Sequence, residues 1–476
     1  MDLRRLNREL CSSAGLSLVG GRFVALALVL LTAVAAESRV PAAEQATAEQ
    51  ASAEQSAVVR ESQWPQWRGP LATGVAPQGD PPTRWDEQTN VRWKVAVPGR
   101  GGSTPIVWNG RIYLTTAIDT TKVVESAEKP ENQPERPFGI KYPNTVYKYV
   151  VLCLDLDTGK TIWERTAIEE LPHEGHHGDN TFASSSPTTD GRALYVSFGS
   201  RGLYAYSLDG ELLWKHALPN VKTRLSFGEA SSPVIFDDRV VLVRDNEGAS
   251  RIVVLDAKTG ETKWEAERDE VSAWATPLVT EHQGRKQVVT NASKRVRSYD
   301  LESGALLWEC GGQVANVIPS PMRYGDQVIC MSGYRGSMAM SLPLAAEGDV
   351  TEQIKAAWKF ERDTPYVPSA LLYEDLLYFP KLNTAILTIL DARTGAVRLD
   401  ATRVPDLGNV YASPVAAQGR VYFLGRAGAA VVLKAGDKAE VLATNKLDDG
   451  FDASPAIVGR RLLLRGYKSL YCLESP

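Results

Sequence analysis

The feature that most constrains this chain of 476 residues is a unit that recurs along most of its length. Each copy begins with a small residue and Pro, continues through apolar strand patterns, and ends in Asp-x-x-x-Gly-x-x-x-Trp. The clearest copies run from Ser232 to Trp264 and from Thr276 to Trp308. After the first interval the starts recur every 41 to 49 residues, the length of a four-stranded propeller blade. The eight starts are Pro105, Pro187, Pro233, Pro277, Pro321, Ala370, Pro414 and Pro455.

The turn and the Trp of each copy have separate physical roles. Gly tolerates a positive φ in the turn between the third and fourth strands, and Asp can accept hydrogen bonds from turn amides. A Trp four residues after the Gly can dock its ring between neighbouring blades. The fifth copy keeps Trp358 but has Ile354 in place of the Gly, and the sixth has Leu399 in place of the Trp. The complete pairs are Gly159 with Trp163, Gly210 with Trp214, Gly260 with Trp264 and Gly304 with Trp308.

The two ends of the repeat region complete each other. The eighth copy ends near Leu473 without an outer strand, and residues 91–97 form a strand pattern with no partner before the first copy. Pairing them would close the ring and remove its exposed edges. The sequence therefore predicts an all-β fold over residues 91–476, an eight-bladed β-propeller of four-stranded blades. An N-terminal outer strand pairs with the C-terminal blade to close it.

The segments before the repeats predict export. Residues 1–36 combine basic residues up to Arg22 with an apolar run ending in Ala35-Ala36, as in a cleaved signal peptide. The protein is therefore expected to be periplasmic or otherwise exported, without membrane insertion after cleavage. Residues 37–63 repeat Ala-Glu-Gln and predict a disordered leader, with a short solvated helix as the alternative. Residues 64–90 form a lead-in, expected to wrap the outside of the propeller.

Charge and cysteine content exclude some classes of protein. Lys and Arg total 53 against 57 Asp and Glu, and this mildly acidic balance argues against a nucleic-acid partner. No two of the five Cys form a CxxC motif, so neither a zinc ribbon nor a covalent haem is supported. The four Cys after residue 36 suit either disulfides or buried free thiols.

The tandem motif over residues 91–474 resembles the pyrroloquinoline-quinone-like (PQQ-like) β-propeller family. The lead-in resembles the opening of exported bacterial propellers in the run Trp64-Pro65-Gln66-Trp67-Arg68-Gly69-Pro70. The family includes dehydrogenases that hold quinone and calcium, and BamB-type scaffolds of outer-membrane protein assembly that bind no cofactor. The dehydrogenases carry an adjacent Cys pair at the quinone, and no two Cys are neighbours here. The resemblance therefore implies a BamB-like scaffold, and pyrroloquinoline quinone with calcium is not expected.

Three of the five His lie in one Gly-rich segment, residues 171–180, called the His loop below. His173, His176, His177 and Asp179 could hold a divalent metal ion or act as general bases. The alternative is a loop that is solvated or bonded locally, because no helical spacing places two His on one face.

The repeat register predicts a second group of residues, at the mouth of the central channel. An aromatic residue precedes the innermost strand of most blades, and polar residues accompany it. Such a rim suits a planar or sugar-like ligand, and the alternative is packing between blades. Exposed Arg turns on the same side could attract an anion or be ordinary turns. The predicted rim consists of Phe182, Trp274, Tyr366, Tyr411, Phe451, Glu229, Asp452, Arg201 and Arg335.

These features predict an exported, non-catalytic binding or assembly scaffold that presents one decorated face to a protein or carbohydrate partner. We expect a monomer, because one chain closes the ring. Two alternatives are a quinone- or metal-dependent oxidoreductase that uses the channel, and the sensor domain of an envelope signalling system. Fold and function are separate inferences, and the second rests on analogy.

Overall fold

In the described residues, eight sheets of mainly antiparallel strands form the blades of a β-propeller around a central channel. The computed structural model describes residues 58–130, 133, 137–352 and 358–475. Blades 1 to 3 comprise β2 (Ile106–Trp108), β3 (Arg111–Val123), β4 (Thr145–Asp155) and β5 (Thr161–Glu170); β6 (Thr188–Thr189), β7 (Ala193–Ser197), β8 (Leu203–Ser207) and β9 (Leu212–His216); and β10 (Val234–Phe236), β11 (Arg239–Arg244), β12 (Ser250–Asp256) and β13 (Thr262–Arg268). Blades 4 and 5 comprise β14 (Leu278–His282), β15 (Arg285–Asn291), β16 (Arg295–Asp300) and β17 (Leu306–Gly311); and β18 (Met322–Tyr324), β19 (Gln327–Ser332), β20 (Met338–Pro343) and β22 (Lys359–Phe360).

Blades 6 to 8 complete the ring, and the predicted fold is confirmed. Their strands are β23 (Leu371–Tyr373), β24 (Leu376–Pro380), β25 (Ile386–Asp391) and β26 (Val397–Arg403); β27 (Val415–Ala417), β28 (Arg420–Leu424), β29 (Ala429–Lys434) and β30 (Val441–Lys446); and β31 (Ala456–Val458), β32 (Arg461–Arg465), β33 (Ser469–Glu474) and β1 (Val91–Ala96). Three short 3-10 turns lie in connecting loops, at Pro137–Gly139, Gly199–Arg201 and Arg224–Ser226.

The core lies between the blades, at their second and third strands. In blade 3, β11 is buried at nearly every position, whereas the outer strand β13 alternates between exposed and partly buried residues. This difference follows from position, because a middle strand packs against neighbouring blades on both faces and an outer strand faces solvent on one.

Ring closure occurs as the sequence predicts. The strand β1 pairs antiparallel with β33, with Trp93 opposite Cys472 and Ala96 opposite Ser469. Blade 8 therefore combines an N-terminal strand with three C-terminal strands, in the order β1, β33, β32, β31.

The docking of Trp on the neighbouring blade's turn Gly is confirmed. The Trp264 ring lies so close to Gly304 that a Cβ there would be 2.7 Å from the indole, and Trp264 Nε1 donates to the Leu301 carbonyl at 2.8 Å. A side chain at each such Gly would collide with the ring, and its positive φ already disfavours other residues. The same contact joins Trp93 to Gly159, Trp163 to Gly210, Trp214 to Gly260 and Trp358 to Gly395.

Blade 5 departs from this pattern. After β20 the chain forms β21 (Gly348–Asp349), which pairs parallel with β17 and adds a fifth strand to blade 4. Trp308 is fully buried there, but within the described residues its Nε1 has no hydrogen-bond partner. The missing Gly turn thus leaves Trp308 packed but not hydrogen-bonded.

The first part of the lead-in follows a different path from the one expected. Residues 64–76 contact the innermost strands and do not run around the outside of the ring. Trp64 bonds to Val107 in β2, and Gly74 and Ala76 bond to Ala416 in β27. The physical reason is that the inner edges of the blades carry backbone groups that need partners.

Arg68 anchors the lead-in inside the channel. Its guanidinium donates to the carbonyls of Pro414 (2.7 Å), Ala370 (2.9 Å) and Thr73 (2.9 Å). Burial lowers the pKa of Arg68 to about 9. From Asp80 the lead-in crosses blade 8 and blade 7 on the way to β1, and Trp85 stacks on Tyr422.

Several predicted segments lie wholly or partly outside the described residues. These are the signal peptide at residues 1–36 and the leader as far as residue 57, while residues 58–61 form one helical turn. Among the described residues, no helix has the length and apolar character to cross a membrane. The four Cys of the described part are buried free thiols, and burial raises the pKa of Cys310 to about 11.

Candidate functional site

The upper face of the propeller is formed by the loops between blades and those between the second and third strands of each blade. Two of these loops are long, residues 124–144 in blade 1 and residues 171–187 between blades 1 and 2. The two loops are neighbours on the ring, and they contact each other. Phe138 of the 124–144 loop contacts His177 of the His loop, with ring centroids 5.7 Å apart.

The His loop reaches across blade 8 to blade 7 through Asp179. The Asp179 carboxylate accepts hydrogen bonds from Arg426 Nη2 and from the Tyr411 hydroxyl, both at 2.8 Å. Arg426 also binds Asp452 at 2.7 Å and lies over the Tyr411 ring, 4.0 Å from its centroid. Burial alone would raise the pKa of Asp179, but the bonds from Tyr411 and Arg426 outweigh it and lower that pKa. The loop is therefore held across the channel mouth by an ionised carboxylate.

The other end of the His loop is tied to the connection between blades 2 and 3. His173 Nε2 lies 2.9 Å from the Val221 carbonyl oxygen, and Glu174 accepts from the Thr223 hydroxyl at 2.6 Å. Burial lowers the pKa of His173, which favours a neutral ring that donates to that carbonyl. The His loop is thus a fixed cover bonded at both ends.

A polar cluster lies beneath this cover. Glu229 accepts from the Ser200 amide and hydroxyl, both at 2.6 Å, and pairs with the buried Arg244 at 3.2 Å. Burial opposes ionisation of Glu229, but Arg244 and Ser200 outweigh it and lower its pKa. The cavities that border Glu229 measure about 40 and 20 Å³, enough for ordered water.

The residues predicted to form one rim occupy different environments. Trp274 is half-buried against Phe227 and donates to the Gly228 carbonyl at 2.6 Å, and Tyr366 stacks on Tyr334 at 4.9 Å. Phe182 packs edge-on against His176 at 4.6 Å. Phe451 is fully buried against Tyr471 and is part of the core rather than the mouth.

The predicted cationic turns also differ from one another. Arg201 is buried and pairs with Glu170 at 2.9 Å, so its charge is already compensated. Arg335 is exposed and lies over the Tyr334 ring, 5.4 Å from the centroid. Of these two arginines, Arg335 alone is exposed to solvent as the sequence predicts.

The four proposed metal ligands point to different partners. His173 faces Val221, His176 Nδ1 lies 2.7 Å from the His177 carbonyl oxygen, and Asp179 faces Arg426. His177 and Asp179 come within 3.5 Å, but no group of three His, Cys, Asp or Glu suited to a metal occurs in the part that the structure describes.

One protein-family model matches the repeat region of the chain. The model described as "Outer membrane protein assembly factor BamB", of the PQQ type, matches residues 148–399, just over half of the chain. The chain belongs to this BamB-like family. The match covers most of blades 1 to 6, and blades 7 and 8 continue the same architecture.

Solved structures similar to this BamB-like chain are related at low sequence identity. A quinohemoprotein alcohol dehydrogenase, ADHIIG, from Pseudomonas putida has 12% identity and a TM-score of 0.55, covering 88% of this chain and 82% of that one. BamB from Moraxella catarrhalis has 12% identity and a TM-score of 0.48, covering 76% and 97%. The computationally designed Ika8 protein has 12% identity and a TM-score of 0.47, covering 75% and 99%. No curated protein sequence matches. At such identity the likeness concerns the fold alone.

Sequence reasoning missed three apolar residues of the upper face. Phe138, Leu225 and Leu382 have exposed fractions of 63%, 38% and 39% and lie in loops of blade 1, between blades 2 and 3, and in blade 6. All three have positive φ, at 57°, 49° and 53°. No motif marks them, because backbone conformation in irregular loops leaves no periodic signal.

Proposed function

We propose that this protein is a non-catalytic scaffold of the cell envelope whose upper face binds a partner protein. The observation that carries the proposal is the conformation of Phe138, Leu225 and Leu382, called the apolar trio below. A bulky L-residue in the left-handed region costs about 1 kcal/mol or more, and such strain clusters at functional surfaces. All three side chains also stay exposed in large part, although Phe138 touches His177 and Phe227 with one side of its ring.

Membership in the BamB-like family supports a protein partner. The matching family is named for an outer-membrane protein assembly factor, and we extend that kind of role to this chain by analogy. Exposed apolar and aromatic residues commonly supply most of the binding energy in such interfaces. A carbohydrate partner and the monomeric state remain predictions from the sequence.

The channel mouth supports a scaffold rather than a quinone enzyme. Asp179 bridges to Arg426 and Tyr411 there, and the cavity beside Asp179 measures about 30 Å³. Pockets for organic cofactors and drug-sized ligands are about 300 Å³ or larger. The residues present around Asp179 and Glu229 therefore do not fit pyrroloquinoline quinone, and the sequence also lacks an adjacent Cys pair.

The test places a photo-crosslinking amino acid at Phe138 and, separately, at Leu225, in cells that produce the protein. We expect both positions to crosslink to the same partner, identified by mass spectrometry. Leu213, 51% exposed on the outer strand of blade 2, is the matched control position and should give no such product. A variant with Ser at all three trio positions should keep its melting temperature and lose the complex.

Two results would contradict the proposal. One is crosslinking at Leu213 equal to that at Phe138, or none at either trio position. The other is a clear rise in melting temperature on adding pyrroloquinoline quinone and Ca²⁺, since a ligand of the native state must stabilise it.

A further inference from the structure

The innermost strands direct one edge each toward the channel, and the lead-in already uses some of these edges. Trp64 exchanges two hydrogen bonds with Val107, at 3.1 and 2.8 Å. Ala416 donates to Gly74 at 3.0 Å and accepts from Ala76 at 2.9 Å. Val107 and Ala416 are each the middle residue of a three-residue strand, β2 and β27. Antiparallel pairing alternates, so the middle residue turns its N–H and C=O away from the second strand and into the channel.

Blades 3 and 4 keep the equivalent edge without such a partner. The middle residue of β10 is Ile235. In β14 the residue at the same register is Glu281, whose carbonyl accepts from Arg323 Nη1 at 2.7 Å, and Val279, two residues earlier, turns the same way. Within the described residues, no backbone hydrogen bond joins Ile235 or Val279 to the lead-in. These two edges are neighbours on the ring.

A groove of about 360 Å³ lies between these edges and the lead-in. One wall consists of lead-in residues that include Trp67 and Leu71, and Leu71 is 46% exposed. The opposite wall includes Phe236, Ile235 and Val279. Apolar side chains therefore form much of both walls, beside polar residues such as Gln66, Thr276 and Thr280, with backbone groups of the two strands at one side.

The charges at the groove nearly balance. Its lining holds three arginines, Arg60, Arg68 and Arg323, and two aspartates, Asp190 and Asp237. The Arg68 guanidinium is bound to the carbonyls of Pro414, Ala370 and Thr73, which leaves two arginines against two aspartates for a ligand. A strongly acidic or basic ligand would gain nothing from such a set, so the lining favours an uncharged one.

We propose that this groove binds an extended, uncharged peptide segment of a partner protein, which adds as a strand to the inner edges of blades 3 and 4. In strand addition, main-chain hydrogen bonds supply affinity and every second side chain enters a pocket. The site is continuous with the interface that the lead-in makes, because residues 66–72 form one of its walls. It lies in the channel, away from the apolar trio, and does not depend on the function proposed for the upper face.

The probe is a phage-displayed library of random heptapeptides, selected against the purified full chain. We expect enriched peptides to alternate apolar with small polar residues. An enriched peptide made synthetically with alternate amides N-methylated should lose binding, because methylation removes the donors that a strand needs.

Variants locate the binding site. Ile235→Pro removes one channel-facing N–H without removing a bond of the sheet and should weaken the selected peptide about 5- to 10-fold. Leu71→Glu places a charge in the groove at an exposed position and should weaken it by about 10-fold or more. The matched control Leu213→Glu changes an equally exposed Leu outside the groove and should bind as the parent does.

Each other result counts against the proposal. If no peptide is enriched, or if the enriched peptides bind the Leu71→Glu variant as well as the parent, the groove is not a peptide site. Equal binding of the N-methylated peptide would exclude strand addition. If Ile235→Pro fails to fold, its melting curve will show this. The Leu71→Glu variant alone then tests whether the peptide binds in the groove.

Discussion

Asp179 accepts a hydrogen bond from Arg426 over 2.8 Å although the two residues lie 247 positions apart in the chain. This contact fixes the free side of the His loop to blade 7. It converts a loop that the sequence describes only as His-rich into a cover of defined position.

Removing the charge of Asp179 should loosen this cover. Asp179→Asn keeps the shape of the side chain but loses the ionic attraction to a half-buried Arg426, at an expected cost of about 1 kcal/mol in the free energy of unfolding. Hydrogen exchange should become faster at residues 171–180. The control Asp400→Asn, in an exposed pair with Arg362, should change stability by less than about 0.5 kcal/mol. Unchanged exchange in the loop would contradict the role given to Asp179.

Stability should fall on mild acidification because of the buried His residues. The pKa of His173 and that of His176 are lowered from the ordinary 6.5, mainly because burial disfavours the charged ring. Below about pH 6.5 the unfolded chain then binds more protons than the folded chain, so stability present at higher pH is lost as pH decreases. We expect the melting temperature to drop between about pH 7 and pH 5, and to drop less in His173→Gln. Identical pH profiles for the two proteins would refute the assignment to His173.

Replacing a turn glycine by Ala should cost more stability where a Trp ring lies against that glycine. Gly260→Ala would place a Cβ 2.6 Å from the Trp214 ring in a residue with φ of 74°, and we expect a loss of about 2–4 kcal/mol. Gly284 has nearly the same φ, 76°, with nothing within 4 Å, so Gly284→Ala should cost only about 1 kcal/mol. Urea unfolding measures both. Equal losses would mean that backbone strain, not the indole, sets the requirement for Gly.

Arg68 should hold the lead-in in the channel. Arg68→Met leaves the buried carbonyls of Pro414 and Ala370 without their donor, at an expected cost of about 2–4 kcal/mol. Limited proteolysis should then cut residues 64–90 sooner than in the parent. Arg84→Met, which removes an exposed bond to the Leu442 carbonyl, is the comparison and should stay within about 0.5 kcal/mol. Equal protease resistance of both variants would argue against this anchor.

The two types of buried Trp should respond differently to loss of the indole N–H. Trp264→Phe removes a 2.8 Å hydrogen bond to Leu301, whereas Trp308→Phe removes a donor with no partner in the described residues. Both lose similar ring volume, so Trp264→Phe should cost about 1 kcal/mol more. Thermal unfolding of the two variants measures this difference. A larger loss of stability for Trp308→Phe would show that the Trp308 indole is bound in another way.

The fold could be predicted because its determinants are local and repeated. Gly260 and Trp264 sit at a fixed spacing in one turn and strand, and each further copy of the spacing strengthens the inference. Closure of the ring could be predicted because the eighth copy lacks an outer strand and residues 91–97 supply one.

The site could be predicted only in part, because its contacts join distant parts of the chain. Nothing in the sequence pairs Asp179 with Arg426, or buries Arg201 beside Glu170. The path of residues 64–76 differs from the expected one because this part of the lead-in binds strand edges through backbone groups, which every residue carries. Its one visible signal was Arg68 between Trp67 and Gly69, a cation in an otherwise apolar setting.

The pairing of β1 with β33 has a consequence for synthesis of the chain. Arg92 and Glu474 form a salt bridge at 2.8 Å across 382 positions, so the first strand has no partner until the last one is made. Contacts of such sequence separation are slow to form, because the loop-closure entropy is lost before the contact is gained. A chain that stops before residue 469 leaves β1 as an open edge, the kind of surface that aggregates or is degraded. Closure of the ring thus depends on residues 469–474, and any copy that lacks them exposes β1.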